Sequence, residues 1–247
     1  MIRGTVSLSK SLEKSTLLYE GKAKKVFTTN DPDLLIVSYK DDATAFNGQK
    51  KGVILGKGRV NNKLTNYFMK LLELKGVPTH FVEELSETDS VVKKVDIVPL
   101  EVIVRNRAAG SFSKRYGVKE GTELKKSCLE FSLKNDDLND PLINSYHILA
   151  LEIASENELE IIENFAFEIN QILKAYLYGV GVELIDFKLE FGKNAQGEIV
   201  LADEISPDTC RFWDLATHEK LDKDRFRQNL NDVNFGYEQM YFRIFNS

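Results

Sequence analysis

Between Val182 and Ile205 the residues alternate in a way that leaves little choice of local structure. Ile185, Phe187, Leu189 and Phe191 are interleaved with Asp186, Lys188 and Glu190. Side chains two apart share one face of a strand, so the segment predicts a strand with a core face and a face carrying Asp, Lys and Glu. Glu198 to Ile205 predicts the return strand, reached through the turn Lys193-Asn194-Ala195-Gln196-Gly197. A tight turn would bring Asp203 beside Lys188 and Glu190. Two carboxylates with only oxygen donors suit magnesium, which keeps water and phosphate oxygens as its other ligands. Lys188 between them can pair with either acid or reach an anionic substrate. A water-facing strand with cross-strand ion pairs gives the same pattern. Against that plainer reading, Phe187 and Trp213 imply a thick local core. Asp203-Glu204 also leads directly into the turn Ser206-Pro207-Asp208, which ends at Arg211.

The rest of the chain divides by period. Leu17-Leu18-Tyr19, Val26 to Thr29 and Leu34 to Tyr39 predict three early strands, and Thr79 to Leu85 another. Thr44 to Gly58 holds Gly48, Gly52, Gly56 and Gly58 with Lys50, Lys51 and Lys57, and predicts a mobile cationic loop. Leu64, Phe68, Leu71 and Leu72 recur at helical spacing, ending near Gly76-Val77-Pro78. Strand-like segments at Val91 to Val95 and Glu101 to Arg105 flank Asp96-Ile97-Val98-Pro99, where we place an interdomain hinge because proline cannot donate to a ladder. Ser155-Glu156-Asn157-Glu158 is a capping box opening a long helix, with an apolar stripe from Ile161 to Leu177 and Gly179 as its stop. Strands grouped early, with helices among strands later, predict an α+β fold in two domains, 1–95 and 96–247.

Charge is divided unevenly. Residues 1–126 carry 23 Lys+Arg against 15 Asp+Glu, and residues 127–247 carry 10 against 23. A nucleic-acid surface, two solvated faces of unequal charge, or a cleft with one cationic and one acidic wall holding a polyphosphate would each account for this. Two further segments could serve such a cleft, although the first reads equally as a hairpin with a charged face and the second as a capped surface helix. Gly21-Lys22-Ala23-Lys24 puts lysines two apart on an extended chain, although it is neither a Walker A loop nor a dinucleotide fingerprint. Arg105-Asn106-Arg107-Ala108-Ala109-Gly110-Ser111 offers guanidinium forks, with Ser111 as the expected N-cap of a short helix, a setting for a phosphomonoester. Several chemistries lack support. His80, His147 and His218 show no zinc spacing, and His147 is read as structural. No Gly-x-Ser-x-Gly elbow occurs. Cys128 and Cys210 form no disulfide framework, which predicts a reduced cytoplasmic protein with two buried thiols. No apolar run approaches the ~20 residues of a membrane span. Met1 to Ser7 lacks a signal-type apolar segment.

Three segments together go beyond generic pattern: Leu18 to Lys24, Val104 to Ser111, and Asp186 to Gly192 followed by Asp203 to Asp208. In this order, and continuing through Arg211 to Asp214 and Lys223 to Arg227, the chain resembles the phosphoribosylaminoimidazole-succinocarboxamide synthases, the SAICAR synthetase family. The resemblance implies an ATP-grasp-like fold with the nucleotide between a smaller N-terminal and a larger C-terminal domain. It implies a ligase that joins L-aspartate to 5-amino-1-(5-phosphoribosyl)imidazole-4-carboxylate (CAIR), consuming ATP, in purine biosynthesis. Carried over residue by residue, Lys22, Ala23 and Lys24 match ATP-phosphate contacts, and Lys94 and Val98 lie at the segment expected to meet adenine. Glu190 and Asp203 match magnesium ligands. Arg105, Ser111 and Arg211 match contacts to the phosphorylated substrate, while Asp186, Lys188 and Asp208 match its imidazole-carboxylate pocket; Asp186, Lys188 and Arg211 are the expected catalytic group. The aspartate site is looked for near Asp42 to Lys50, including Asn47-Gly48. The loop Ala43 to Gly48 and Asn144-Ser145-Tyr146 depart from relatives. The resemblance implies a homodimer, with neither nucleic acid nor membrane as a partner. The alternatives are a ligase of the same fold for another phosphorylated acid, a non-catalytic nucleotide-binding regulator, and an RNA-binding module.

Overall fold

The computed structural model describes residues 12–45 and 48–246; Met1 to Ser7, Phe46 and Asn47 lie outside them. In chain order the elements are β1 (Leu17–Glu20), β2 (Lys24–Thr28), β3 (Leu34–Tyr39), β4 (Asp42–Ala45), β5 (Lys50–Val53), α1 (Lys57–Leu74), β6 (Phe81–Glu84), β7 (Asp89–Lys93), β8 (Asp96–Ile97), β9 (Leu100–Arg107), α2 (Gly110–Tyr116), β10 (Glu123–Leu133), β11 (Leu142–Ile143), α3 (Ser145–Ala150), α4 (Glu156–Gly179), β12 (Val182–Lys193), β13 (Ile199–Ala202), β14 (Cys210–Asp214), α5 (Asp224–Arg227) and α6 (Val233–Phe245). The fold is α+β, as expected from the grouping of strands and helices.

One sheet takes its strands from residues 17–93, in the order β1-β2-β3-β7-β6, and the other from residues 96–214, in the order β11-β10-β9-β12-β13, with β14 and β8 also paired to β12. All these pairings are antiparallel. The long β12 is the spine of the second sheet because it is flanked along its length: β9 and β14 bracket its first half, and β13 and β8 take its end. The sheets are tied through Pro78 to His80. The Leu201 amide donates to the Pro78 carbonyl at 2.9 Å, and the His80 amide donates to the Leu201 carbonyl at 2.8 Å.

The helices fill the space between and behind the sheets. In α1, Leu64, Phe68 and Leu72 recur every four residues and are fully buried. In α4, Ile162, Ala166, Ile169, Leu173 and Leu177 form the buried stripe. The predicted capping box is present: the Ser155 hydroxyl accepts from the Glu158 amide, and the Glu158 carboxylate accepts from the Ser155 amide at 2.8 Å. One apolar cluster runs from Ala43 to Ile244, so α1 and the second sheet share a core.

Two expectations of local structure need correction. Thr44 to Gly58 is not an open loop: Asp42–Ala45 pairs with Lys50–Val53, and α1 already begins at Lys57. The Lys50 ammonium anchors this hairpin by donating to the Phe226 carbonyl and to Asn229. At the segment read as the interdomain hinge, Asp96 and Ile97 pair with Lys193 and Gly192, and the Val98 amide donates to the Phe191 carbonyl at 2.9 Å. Gly192 permits this close approach, since a Cβ there would sit 2.6 Å from a Val95 methyl. Finally, Ile185 does not share a face with Phe187. The register steps from Leu184–Phe212 to Asp186–Arg211, leaving Ile185 as the extra residue of a β-bulge. Leu184, Phe187, Leu189 and Phe191 face the main core, while Ile185 packs with Ala109 and Trp213. Of the two thiols, Cys210 is buried and Cys128 only half-buried. No helix among the described residues is long and apolar enough to cross a membrane.

Phe68 meets the Tyr176 ring edge-on at a centroid distance of 6.0 Å, joining α1 to α4. Phe68→Ala should cost about 3–5 kcal/mol, measured as a lower urea midpoint; a loss under about 1 kcal/mol would mean that this junction is not part of the cooperative core.

Candidate active site

The two sheets enclose a cavity of about 590 Å³. Its upper wall is the β1–β2 turn, with Tyr19, Gly21, Lys22, Ala23 and Lys24. Its floor is the charged face of β9 and β12, with Glu101, Ile103, Arg105, Asp186, Lys188 and Glu190. The segment after β13 supplies Asp203, Glu204 and Asp208, and the far end is closed by Arg211, Lys223 and Arg227 beside Thr44, Ala45 and Gly48. The charged face of β12 therefore does not meet open water. Asp186 and Glu190 are both buried, each only 3% exposed, which rules out the plainer reading of that strand.

At one end, cations of the first sheet meet acids of the second. The Lys24 ammonium is bonded to the Asp203 carboxylate and lies 3.1 Å from Glu204. Lys188 lies 2.6 Å from Glu190, 3.2 Å from Glu101 and 3.5 Å from Asp203. Lys134 also pairs with Glu190. Burial alone would lower the pKa of Lys24 and Lys188, but the surrounding carboxylates outweigh it and hold both well above the ordinary lysine value. The same contacts, chiefly Lys24 and then Lys188, overcome the burial of Asp203 and keep it far below the usual carboxylate range. Asp203 leaves β13 in the left-handed conformation, φ 58°, which an Asp tolerates better than a branched residue. Lys22 points to the same cavity and is paired with exposed Asp136 at 2.7 Å.

At the other end, Asp186 sits between two arginines. The register sets Asp186 opposite Arg105 on β9 and opposite Arg211 on β14. Arg105 donates to it at 2.7 Å and Arg211 at 3.0 Å. The remaining forks are also fixed, Arg105 on Glu130 at 2.6 Å and Arg211 on Asp224 at 2.8 Å. Arg105 also donates to the Ser111 hydroxyl at 3.1 Å. Ser111 is not the expected N-cap: α2 begins at Gly110 after Ala109, and the hydroxyl serves the arginine instead. Gly110 is required there, because its φ is +53° and a Cβ would lie 2.3 Å from the Arg211 guanidinium.

Of the residues expected from sequence, Lys22, Ala23, Lys24, Arg105, Ser111, Asp186, Lys188, Glu190, Asp203, Asp208 and Arg211 all line this cavity. Lys94 and Val98 do not, and the Val98 amide is already engaged. Glu101, Lys134, Glu204, Lys223 and Arg227 were not singled out. Glu101 was legible, since it shares a strand face with Arg105; Lys134 follows β10 with no local signal. His147 is structural, its ring accepting from the Asn144 amide at the start of α3.

Glu190 and Asp203 converge on one ammonium, which marks a point where a hard cation suits the same oxygens. Among the described residues no three acidic, imidazole or thiol groups come together closely enough to hold an ion by themselves. The donor set fits magnesium held by two carboxylates, with water and phosphate oxygens completing its shell.

The comparisons agree with one another. The family described as SAICAR synthetase matches residues 17–244. A phosphoribosylaminoimidazole-succinocarboxamide synthase of Coprothermobacter proteolyticus is 58% identical over 94% of this chain and 99% of its own length. One of Lachnoclostridium phytofermentans is 56% identical over the same shares. Among solved structures, the Ehrlichia chaffeensis synthase superposes with a TM-score of 0.91 at 46% identity, covering 93% of this chain and 98% of that one. A SAICAR synthetase in complex with ADP gives 0.90 at 51% identity, covering 93% and 97%. The chain belongs to the SAICAR synthetase family.

Two buried groups set an opposing pH dependence of stability. Burial, then neighbouring Asp224, raises the Asp222 carboxyl to about 7. Burial, then Lys24, lowers the His80 imidazole to about 4. Between pH 4 and 7 the folded state thus keeps a proton on Asp222 that the unfolded chain releases, so this group removes stability as pH rises. His80 does the reverse, since the unfolded chain binds the proton that the fold excludes. Urea unfolding across this window should show stability rising more steeply with pH in Asp222→Asn and less steeply in His80→Gln; parallel curves for both variants and the parent would contradict the assignment.

Proposed function

We propose that this cavity is where the chain carries out the reaction of its family. The chain is an ATP-dependent ligase that joins CAIR and L-aspartate to give SAICAR, ADP and phosphate in purine biosynthesis. The observation that carries the site assignment is the meeting of Lys22 and Lys24 with Glu190 and Asp203 in one enclosure. A carboxylate resists attack by an amine. Transfer of the γ-phosphoryl group to the CAIR carboxylate releases ADP and leaves an acyl phosphate. The aspartate amine then forms the C–N bond as the C–O bond to phosphate breaks, and the amine gives up a proton. Such a sequence needs positioning and charge neutralisation more than a protein nucleophile, which agrees with a cavity lined by charges.

In this reading Lys22 and Lys24 hold the β- and γ-phosphates, and Glu190 and Asp203 hold magnesium. Bound magnesium would neutralise phosphate charge. Arg105, Arg211 and Ser111 bind the phosphorylated acid, with Asp186 keeping both guanidinium groups turned inward. Lys188 stands beside the reacting carboxylate, and Asp208 borders the pocket. The arrangement is read as ATP-grasp-like, residues 1–95 covering the nucleotide and residues 96–247 carrying the metal and acid sites. A homodimer in the cytoplasm belongs to the same proposal. Lys94 and Val98, in the segment between the two sheets, remain in this proposal the part read as meeting adenine.

The direct test is ADP release with CAIR and each candidate amine; turnover only with aspartate supports the assignment, and none with that pair refutes it. Asp203→Asn should lower magnesium-dependent kcat by roughly 10²–10³, as expected for a group that stabilises transferring charge, a far larger effect than on folding stability, because Glu204 still partners Lys24, and Glu101 and Glu190 still partner Lys188. Near-parental kinetics would remove the residue from the metal site. Arg211→Ala should raise the Michaelis constant (KM) for CAIR about 10- to 100-fold, given roughly 1.5–3 kcal/mol for a charged hydrogen bond; an unchanged constant would place the phosphorylated acid elsewhere.

A further inference from the structure

The segment Gly56-Lys57-Gly58 has no part in the site described above, yet it delivers a charge to its edge. Lys57 is fully buried, with 0% exposure, and does not line the cavity. The backbone around it is built for this. The Gly56 and Gly58 amides donate to the Asp41 carboxylate at 3.0 and 2.9 Å, and a Cβ on Gly58 would lie 2.9 Å from the Tyr39 carbonyl oxygen. The Lys57 ammonium ends 3.0 Å from Asp208 Oδ2. Lys223 reaches the same oxygen from the cavity side at 3.3 Å, and the Tyr237 hydroxyl donates to Oδ1 at 2.7 Å. Arg227 donates to the Asp208 carbonyl at 3.3 Å.

The charges do not cancel. Asp208 contributes one negative charge against the two ammonium groups of Lys57 and Lys223. Lys57 is sealed inside, so a dissolved anion reaches this cluster from the cavity, at Lys223. We propose that Lys57 is a positioning residue: by satisfying Asp208 from within, it leaves Lys223 available to hold an anionic group of a substrate, a carboxylate or a phosphate. This rests on the cavity being the substrate site. Lys223 agrees with it independently, since burial, together with Arg227 and Lys57, pulls its pKa below the ordinary lysine value despite Asp208. At this corner Lys57 and Lys223 share the single carboxylate of Asp208, and a bound anion would add a counter-charge to Lys223. Without Lys57, Asp208 would be left with Lys223 as its sole ammonium partner and would draw it out of use.

The test is a double-mutant cycle in steady-state kinetics on the full chain. Lys223→Met should raise the KM of one acidic substrate about tenfold, the loss of a charged hydrogen bond. Lys57→Met should raise the KM of that same substrate by a similar factor, with kcat within about threefold and the KM of ATP within about twofold. The double variant should be no worse than Lys223→Met alone, because Lys57 acts through Lys223. Additive effects, an equal rise in every KM, or no rise would overturn the proposal. If Lys57→Met does not fold, Tyr237→Phe replaces it: removing the donor to Oδ1 leaves Asp208 to draw harder on Lys223 and should raise the same KM about threefold, part of the worth of a hydrogen bond to a charged group passing on through Asp208, and an unchanged KM would count against the idea. Calorimetric titration of succinate and of inorganic phosphate into the parent and the variants separates the two anion types and does not depend on turnover. Weaker binding of one anion in both Lys57→Met and Lys223→Met supports the role even if CAIR and aspartate are not turned over, and equal binding in parent and variants refutes it.

Discussion

The contact on which the rest depends is the ion pair between Lys24, at the start of β2, and the carboxylates of Asp203 and Glu204, just beyond β13. A buried charge without a partner costs several kcal/mol, and several buried charges here find their partner in the other half of the chain. The first 126 residues are rich in Lys and Arg, the remainder in Asp and Glu. Folding joins them: Lys24 with Asp203, Lys57 with Asp208, Lys22 with Asp136, and Arg105 with Asp186 and Glu130. The uneven charge of the sequence is thus neutralised partly between the two sheets and partly within the second.

That junction determines the chemistry available to the cavity. The carboxylates of Asp186, Glu190 and Asp203 each face an ammonium or guanidinium group, and Lys24 and Lys188 hold Asp203 well below the usual carboxylate range. Under the proposed function, arriving phosphates exchange one set of counter-charges for another without rebuilding the walls. The backbone contributes at two places. The bulge at Ile185 sets Asp186 between two arginines while the apolar residues on either side of it stay in the core. The left-handed turn at Asp203 ends β13 where its side chain is needed, a local strain that packing around a functional site can sustain.

Much of this was legible in the residues. The i, i+2 alternation of Asp186, Lys188 and Glu190 fixed their common face, and Asp203 fell beside Glu190 because the hairpin between them is short. The capping box at Ser155 marked the start of α4 correctly. What escaped was set by long-range contacts. Ile185 follows the period-2 rule in sequence but is displaced by a bulge visible only against β14. Ser111 has the chemistry of an N-cap but serves Arg105, a partner from another element. The hairpin at 42–53 looked like a loop because its glycines outweigh its β propensity, and its anchor, Phe226, lies far along the chain. Lys57, between two glycines, gave no sign that it would be sealed in the interior.

The central claim is that lysines of the β1–β2 turn and acids of β12 and β13 act on one triphosphate. A crystal structure of this chain grown with ADP and magnesium tests it most directly. The account predicts the diphosphate between Lys22 and Lys24, with the metal on Glu190 and Asp203; nucleotide bound away from both pairs, or metal held by other residues, would contradict it.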